Sequence, residues 1–126
     1  MSAVAAAARD LVGRRFGLHG RGERLDCVGV VAAALWAAGW RGETPTGYAL
    51  RGGDPGRIAA LLDARFARAG EARAGDVMLM ATGPGQLHLA VRTESGFVHA
   101  DAGLGRVVER PGAPPWPVLG VWRWEE

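Results

Sequence analysis

The hydrophobic period of the sequence changes once, near residue 70, and this change limits the folds that the chain can adopt. Before it, apolar residues recur at helical spacing, and after it they alternate with a period of about two. Helices followed by a run of strands predict an α+β domain in which a largely antiparallel sheet packs on the helices. A length of 126 residues fits one compact domain with a single core.

Three helices are predicted in the first part of the chain. An alanine-rich helix covers residues 3–13, and the segment "CVGVVAAALWAAG" predicts a second helix over 27–38. Because the second segment is apolar on nearly every side, we expect this helix to be central and buried. Asp54 as N-cap and Pro55 at the first helical position start a third helix, which we expect to end at Gly70.

Five strands are predicted in the second part of the chain. Each is short, alternates apolar with polar residues and is bounded by turns rich in glycine or proline. They cover residues 75–82, 87–92, 96–101, 105–110 and 118–124. The stretches 14–25 and 40–53, which lie between the predicted helices, are rich in glycine and are predicted to be irregular loops.

The composition argues against two classes of partner. The 15 basic and 13 acidic residues give a net charge of +2, and no basic stripe is interleaved with aromatic residues, so we expect no nucleic-acid partner. No apolar stretch reaches about 18 residues, which predicts no membrane span. Arg21 and Arg24 flank the single cysteine and are candidates to contact an anionic substrate, although solvated surface is the commoner role for such residues.

Cys27, the single cysteine, lies at the predicted start of the second helix. Asp26 is a suitable N-cap, which places Cys27 at the first helical position. There the helix dipole and the free backbone N–H groups favour a thiolate, so we expect a lowered thiol pKa, and the same N–H groups can hold an oxyanion. Gly29 allows another segment or a substrate to approach closely. Taken alone, however, a cysteine is more often a small buried apolar residue.

Two of the three histidines fall on neighbouring predicted strands, in "LHLAVR" and "GFVHAD". If the connection is a hairpin centred on Thr93 and Glu94, His88 lies directly opposite His99. Directly opposite side chains point to the same side, with their β-carbons about 5 Å apart; a register shifted by one residue would separate them. A thiol enzyme needs such a pair, because a base must lie beside Cys27 and a third group must orient the base.

At this point four segments, in this order, resemble the motifs of the NlpC-type papain-like cell-wall peptidases, especially the small phage-associated members. "LDCVGVVAAALWAAG" is similar to the Asp-Cys-x-Gly motif that opens the catalytic helix, and "ARAGDVMLM" to the strand entry that precedes the histidine strand. "LHLAVRTESGFVHAD" resembles the His-x-x-(Ile/Val) strand followed by the Ile/Val-His-Ala strand, and "VLGVWRW" resembles the closing strand. The resemblance covers most of the chain. It implies one papain-like domain over residues 1–126, with a central catalytic helix on a five-stranded, mostly antiparallel sheet.

The resemblance also implies an activity: a cysteine peptidase or amidase that cleaves bacterial peptidoglycan peptides, typically between γ-D-glutamate and a diamino acid, without a metal or cofactor. By motif match, Cys27 would be the nucleophile, His88 the base and His99 the residue that orients the base. Asp26 matches the acidic residue that, in many members, helps to receive the free amine of the stem peptide, and a carboxylate suits an ammonium group.

Two positions depart from the family pattern. Many members have Ser after the cysteine, where this chain has Val28, and many have Tyr in the preceding loop, where the nearest equivalent is Phe16. The loss of both hydroxyls leaves the stem-peptide specificity open. His19 lies in the same loop and is a candidate for the missing polar contact with substrate; a solvent-exposed loop histidine is the alternative.

Three other functions stay open. The first is a non-catalytic papain-like module of a phage tail or a wall-binding protein, with the five tryptophans either as a docking surface or as core residues. The second is a thiol acyltransferase. The third, a zinc hydrolase that uses His19, His88 and His99, lacks a recognised ligand spacing.

The location of the protein is a further expectation. The segment "MSAVAAAARDLVGRR" lacks the basic first region of a secretory signal, which predicts synthesis in the cytoplasm without a signal peptide. With the resemblance, this predicts a phage-like tail particle as the carrier to the periplasm and cell wall, and its hub proteins as partners.

Overall fold

A computed structural model describes residues 2–45 and 47–125, and in this part of the chain it shows three helices and one eight-stranded sheet. The helices are α1 (Ala3–Asp10), α2 (Cys27–Ala38) and α3 (Pro55–Asp63). The strands are β1 (Arg15–Phe16), β2 (Arg24–Leu25), β3 (Ala67–Ala69), β4 (Val77–Gly83), β5 (Gln86–Arg92), β6 (Gly96–Asp101), β7 (Arg106–Pro111) and β8 (Val118–Arg123). Their order across the sheet is β2-β1-β7-β6-β5-β4-β8-β3.

The α+β class is confirmed, and the five predicted strands correspond to β4 through β8. The expected count of five strands is wrong, because β1, β2 and β3 extend the sheet at both edges. Each of these three has only two or three residues, which is too short for an alternating pattern to show in the sequence. The pairs are antiparallel apart from β1 with β2, which is parallel.

Two predicted helices end earlier than expected. Helix α3 stops at Asp63 and not at Gly70, because the residues that follow it form β3 and pair with β8. Helix α1 stops at Asp10 and not at residue 13, where Gly13 adopts a φ of 97° and donates its N–H to the carbonyl of Val107. In both places a backbone partner on the sheet replaces the next helical turn.

Helix α2 has the predicted bounds, and both of its ends are capped by side-chain or backbone geometry. The Asp26 carboxylate accepts the N–H of Gly29, and Gly39 at the other end adopts the left-handed conformation with a φ of 114°. The helix is buried from Cys27 to Leu35 except at Ala33, and it contacts α1 as well as β5 and β6. Its apolar surface is therefore covered over the first two turns, which fixes the position of its N-terminus.

Strand β5 separates two apolar clusters that lie on opposite faces of the sheet. Leu87, Leu89 and Val91 face the helices and belong to the main core. The other face carries a second, smaller cluster, which is formed by Met78, Met80, Ala90, Phe97 and Val121 and covered by Trp116. The connection before β8 thus encloses the face of the sheet that carries His88 and His99.

The register between β5 and β6 differs from the expected one. Val91 pairs with Val98 and Arg92 with Phe97, so the connection spans residues 93–96 and is two residues longer than a turn centred on Thr93 and Glu94. The Thr93 hydroxyl accepts the N–H of Gly96 and donates to Glu109, which stabilises the longer turn. The expectation that His88 lies directly opposite His99 is therefore wrong, but a shift of two residues keeps both on one face.

Beyond Val91 and Val98, strands β5 and β6 no longer pair. Strand β5 stays with β4, where His88 is opposite Met80, and β6 stays with β7, where His99 is opposite Val108. The separation leaves backbone groups of β5 available to other segments, and Leu87 donates its N–H to the carbonyl of Leu50. None of the helices in residues 2–45 and 47–125 has the length and apolarity needed to cross a membrane.

The close contact of α2 with the preceding loop gives a stability prediction. A β-carbon at Gly29 would overlap the carbonyl oxygen of Gly20 and press on Asp26. We expect Gly29→Ala to lower the free energy of unfolding by about 1–3 kcal/mol, because a backbone atom cannot rotate away. The matched control is Gly70→Ala, where a β-carbon meets no atom within 4 Å; this change should stay within about 0.5 kcal/mol. Urea unfolding measures both, and equal values for the two variants would contradict the predicted contact.

Candidate active site

A cleft of about 700 Å³ opens at the N-terminus of α2, where β5 and β6 have separated. Its lining includes all six residues that the sequence predicts as catalytic or substrate-binding: Phe16, His19, Asp26, Cys27, His88 and His99. The separation of the strands joins the helix side of the sheet to the side that carries the histidines and Trp116. Residues from β1, α2, β5 and β6 therefore reach one cavity.

Cys27 is the first residue of α2, and its thiol lies against β5. The backbone N–H of Leu89, on the edge of β5 that has lost its β6 partner, is near enough to the sulfur to lower the pKa of the thiol. Leu89 directly follows His88 in the chain, so the sulfur lies at the strand that carries the predicted base. Cys27 is 4% exposed and borders the cleft.

The expected lowering of the thiol pKa does not occur in the free protein. Burial raises the pKa of Cys27 to about 12, and the negative charge of Asp26 raises it as well, whereas the backbone N–H groups of Leu89, Val28 and Cys27 lower it. The helix N-terminus thus acts in the expected direction, but desolvation of the thiolate is the larger effect. The raised pKa makes the Cys27 side chain a neutral thiol at pH 7.

The two histidines of the cleft are in direct contact. Nε2 of His88 lies 2.7 Å from Nδ1 of His99, and the ring planes are 86° apart. Burial lowers the pKa of His88 to about 4, the charge of His99 adds to this lowering, and Asp101 opposes it. Burial also lowers the pKa of His99, again with Asp101 opposing and with Arg110 lowering it further. Both rings are therefore neutral at pH 7 and share one hydrogen bond.

The surroundings of His99 favour one arrangement of the two ring protons. Nε2 of His99 is buried and has no hydrogen-bond partner among the residues described. The His99 ring lies 5.8 Å from Trp116 and 5.2 Å from Phe97, between ring centroids. An N–H group interacts favourably with aromatic rings, whereas a bare lone pair does not, so the proton belongs on this nitrogen. Nδ1 of His99 then accepts from Nε2–H of His88, and Nδ1 of His88 keeps a lone pair.

Trp116 covers the histidine pair from the proline-rich connection before β8. Its ring centroid lies 6.1 Å from that of His88, and the Arg110 guanidinium lies 5.1 Å from the Trp116 ring. Trp116 also lines the cleft. At least one of the five tryptophans is thus placed at the candidate site, a contact that the sequence does not indicate.

Asp26, the residue before the nucleophile, makes its contacts within the protein. Its carboxylate accepts hydrogen bonds from two backbone N–H groups, those of Gly29 and His19. It also accepts one from the Arg21 guanidinium and one from the Tyr48 hydroxyl. Arg21 also donates to the Tyr48 oxygen over 2.7 Å. The carboxylate therefore has a structural role in the cleft wall in addition to capping α2.

Arg21 and Tyr48 were not predicted in these roles. Arg21 was expected mainly as solvated surface, yet it forms a salt bridge of 2.9 Å with Asp26. The family that the sequence resembles often has a tyrosine before the helix, where this chain has Phe16. Here the hydroxyl that contacts Asp26 belongs to Tyr48, which follows α2 in the chain. Tyr48 lies in the stretch 40–53, which lacks periodicity; its being the single tyrosine of the chain is the one signal that could have indicated it.

Phe16 and His19 form the outer wall of the cleft. Phe16 is half-buried in β1 and packs against the main core. His19 has an exposed side chain, a φ of 58° and a ring centroid 5.1 Å from that of Tyr48, while its backbone N–H reaches Asp26. Arg24 is exposed and does not line the cleft. Within residues 2–45 and 47–125, no group of three His, Cys, Asp or Glu side chains is placed to hold a metal ion.

Three solved structures share this architecture over most of the chain. The NlpC/p60 domain of the peptidoglycan hydrolase SagA aligns with a TM-score of 0.62 and 18% identity over 86% of each chain. The P60 domain of antigen MAP1204 from M. avium subspecies paratuberculosis gives 0.62 and 17%, over 95% of this chain and 90% of that one. The peptidoglycan hydrolase RipB from Mycobacterium tuberculosis gives 0.61 and 22%, over 96% of this chain but 62% of RipB.

The chain has the NlpC/p60 fold. No family model matches its sequence, and no curated protein matches it either. The chain therefore resembles these three proteins in its three-dimensional structure. The chemistry of its cleft depends on its own side chains.

The side chains of this NlpC/p60 fold can carry out acyl transfer. A neutral imidazole with a free lone pair can accept a thiol proton, and a second imidazole holds it in that tautomer. The N–H of Gly29 is used by Asp26 and that of Val30 by the Asp26 carbonyl, whereas the first N–H groups of α2 point at the thiol and can hold an oxyanion. The cleft thus brings together a thiol, two imidazoles in contact and the N-terminus of a helix.

The buried, neutral thiol gives a prediction for its reactivity. We expect alkylation of Cys27 by iodoacetamide to be slow at pH 7 and to keep rising above pH 9, because burial raises its pKa to about 12. Rates followed by intact-protein mass spectrometry from pH 5 to 10, with free cysteine as reference, test this. A rate that is already at its plateau near pH 6 would show a resting thiolate–imidazolium pair and contradict the neutral state.

Proposed function

We propose that the protein is a cysteine peptidase that hydrolyses peptide bonds in the stem peptides of peptidoglycan, with the γ-D-glutamyl–diamino acid bond as its target. The observation that carries the proposal is the placement of Cys27 at the helix terminus, in one cleft with the 2.7 Å contact between His88 and His99. The NlpC/p60 fold supports the substrate class, since SagA and RipB are peptidoglycan hydrolases.

In the proposed first step, Nδ1 of His88 takes the proton of the Cys27 thiol while the sulfur attacks the amide carbonyl carbon. Because the thiol and the imidazole are both neutral at rest, proton transfer accompanies attack and does not precede it. The negative charge that develops on the carbonyl oxygen is held by the first N–H groups of α2.

In the following steps the tetrahedral intermediate collapses to a thioester on Cys27. The carbon–nitrogen bond breaks, and the leaving amine takes the proton from His88. His88 then accepts a proton from water, whose oxygen attacks the thioester, and the proton returns to the sulfur as the acid product leaves. His99 acts through its hydrogen bond, which keeps Nδ1 of His88 directed at the thiol and stabilises the imidazolium.

Two other functions are outcomes of the same test. A wall-binding module would bind sacculi and release nothing, and a thiol acyltransferase would transfer its acyl group to an added amine and not to water. The intact set of Cys27, His88 and His99 favours hydrolysis over the binding module, because binding alone requires none of the three. Delivery by a phage-like tail and contact with its hub proteins stay predictions from the sequence resemblance.

Digestion of purified sacculi tests the proposal. We expect the wild-type protein to release peptide fragments that mass spectrometry assigns to cleavage after γ-D-glutamate. We expect Cys27→Ala to lower release by at least about 10³-fold, because the nucleophile is lost. The matched control is Arg57→Ala, an exposed residue of α3 outside the cleft, and it should retain wild-type activity. Fragments released equally by wild type and Cys27→Ala, or by neither, would refute the proposed reaction.

A further inference from the structure

The His99 ring has a polar contact on one side and an apolar contact on the other. Its Nδ1 lies 2.7 Å from Nε2 of His88, whereas its own Nε2 is buried and has no hydrogen-bond partner in the part of the chain that the structure describes. Buried polar groups in proteins are nearly always hydrogen-bonded, so this exception requires a physical reason. The aromatic rings that pack against His99 supply one.

Trp116 separates the unpartnered side of His99 from solvent. Phe97 and His99 are fully buried, whereas Trp116 is half-buried, so Trp116 is the outermost of the three rings. Its centroid lies 5.8 Å from that of His99, 6.1 Å from that of His88 and 6.1 Å from that of Phe97. A single side chain thus packs against both imidazoles and against the buried ring beside them.

Arg110 holds the Trp116 ring in this position from β7. The guanidinium carbon of Arg110 lies 5.1 Å from the centroid of Trp116 and 5.8 Å from that of Phe97, its partner across the β6–β7 pair. A guanidinium is attracted to the face of an aromatic ring. Burial lowers the pKa of His99, Asp101 on β6 opposes this, and Arg110 adds to the lowering. The cover therefore has its own support and keeps the ring beneath it neutral.

The hydrogen bond between the two rings allows two arrangements of the protons, with opposite consequences for Cys27. In the first, His99 carries its proton at Nε2 and accepts from Nε2–H of His88, so Nδ1 of His88 keeps a lone pair. In the second, His99 donates from Nδ1 to Nε2 of His88, and Nδ1 of His88 is protonated and cannot accept the thiol proton. The tautomer of His99 thus decides whether His88 can act as a base toward Cys27.

The aromatic surroundings of His99 favour the first arrangement. An N–H group is attracted to the negative face of an aromatic ring, whereas a bare lone pair is repelled by it. Water in place of Trp116 would satisfy either form of Nε2, because a water molecule both donates and accepts hydrogen bonds. Removal of the ring should therefore abolish the preference for the reactive tautomer.

We propose that Trp116 is a positioning residue, which acts through His99 to keep His88 in the tautomer that can take the proton of Cys27. The proposal rests on the proposed function, because the tautomer matters to the reaction through the role of His88 as base. The tautomer itself is a property of the free protein and can be measured with no substrate present.

Long-range ¹H–¹⁵N NMR spectra of the free protein at pH 7 distinguish protonated from bare ring nitrogens. For the wild type we expect both His88 and His99 to carry the proton at Nε2. For Trp116→Ala we expect averaged signals from a mixture of the two arrangements, and Trp116→Phe should keep the wild-type spectra because it keeps an aromatic ring. The matched control is Trp36→Ala, which removes an exposed tryptophan outside the cleft and should change neither histidine.

Hydrolysis of a soluble wall fragment gives the second readout. We expect Trp116→Ala to lower kcat by about 10- to 100-fold at pH 7, because a part of the protein no longer has a base in place. Trp116→Phe should retain most of the activity. Since Trp116 lines the cleft, a role in substrate binding alone is the alternative, and it would raise KM and leave kcat unchanged.

A proton at Nδ1 of His88 in the wild type would overturn the inference, as would wild-type spectra from a folded Trp116→Ala protein or a change confined to KM. If Trp116→Ala does not fold, Trp116→Leu takes its place: it removes the aromatic ring and should give the same mixture, and wild-type spectra from it count against the inference. If the wild-type protein hydrolyses no wall fragment, the proposed function fails, and the spectra still decide whether Trp116 sets the tautomer.

Discussion

The buried carboxylate of Asp26 is the interaction on which one side of the cleft depends. It caps α2 through Gly29, and its other partners come from the loop before the helix and from Tyr48 after it. A buried charge must be paired and hydrogen-bonded, so these segments are held together by the cost of leaving the carboxylate unsatisfied. The position of Cys27 follows, because it is the next residue and the first of the capped helix.

The cleft also depends on the separation of β5 from β6. Continuous pairing would keep the histidine face and the helix face of the sheet apart, whereas the strands part after Val91 and Val98. The released edge of β5 brings the Leu89 N–H near the thiol, whose pKa it lowers, and the two imidazoles are in contact in the same cleft. Trp116 packs against both rings, and burial lowers the pKa of each.

The resting site is therefore uncharged at its reactive centre. Burial disfavours the thiolate of Cys27 and the imidazolium of His88, so the proposed reaction requires the substrate to stabilise an ion pair of the two. In the free protein the effect of the α2 dipole on the thiol pKa is outweighed by desolvation. In the proposed reaction the dipole acts when negative charge develops on the substrate carbonyl oxygen.

Helix caps and hydrophobic periodicity predict those helices and strands that are long enough to show a repeating pattern. The caps at Asp26 and Gly39 define α2, and alternation defines β4 to β8, because burial on one face imposes a period. The two- and three-residue strands have no such pattern. The turn at 93–96 depends on contacts of Thr93 with Glu109, which are distant in sequence, so the register was misjudged by two residues.

The sequence predicts the candidate site to about the same extent as it predicts the fold. The residues that carry the motifs, Cys27, His88 and His99, lie in one cleft. The same-face argument accounts for the two histidines. Arg21, Tyr48 and Trp116 could not be placed in it, because they come from irregular segments whose positions are set by tertiary contacts. The pKa of Cys27 was misjudged for the same reason, since burial is a property of the folded chain and not of the helix terminus alone.

Capture of the acyl-enzyme tests the central claim most directly. The protein is mixed with wall fragments, quenched in acid during turnover and then digested briefly with trypsin at neutral pH, where trypsin is active and a thioester survives a short incubation. The account predicts that the peptide of residues 25–41, which contains Cys27, carries the mass of the acyl part of the substrate, and that hydroxylamine removes it. Continued hydrolysis of the wall fragments with this peptide unmodified at every quench time would contradict a thioester at Cys27.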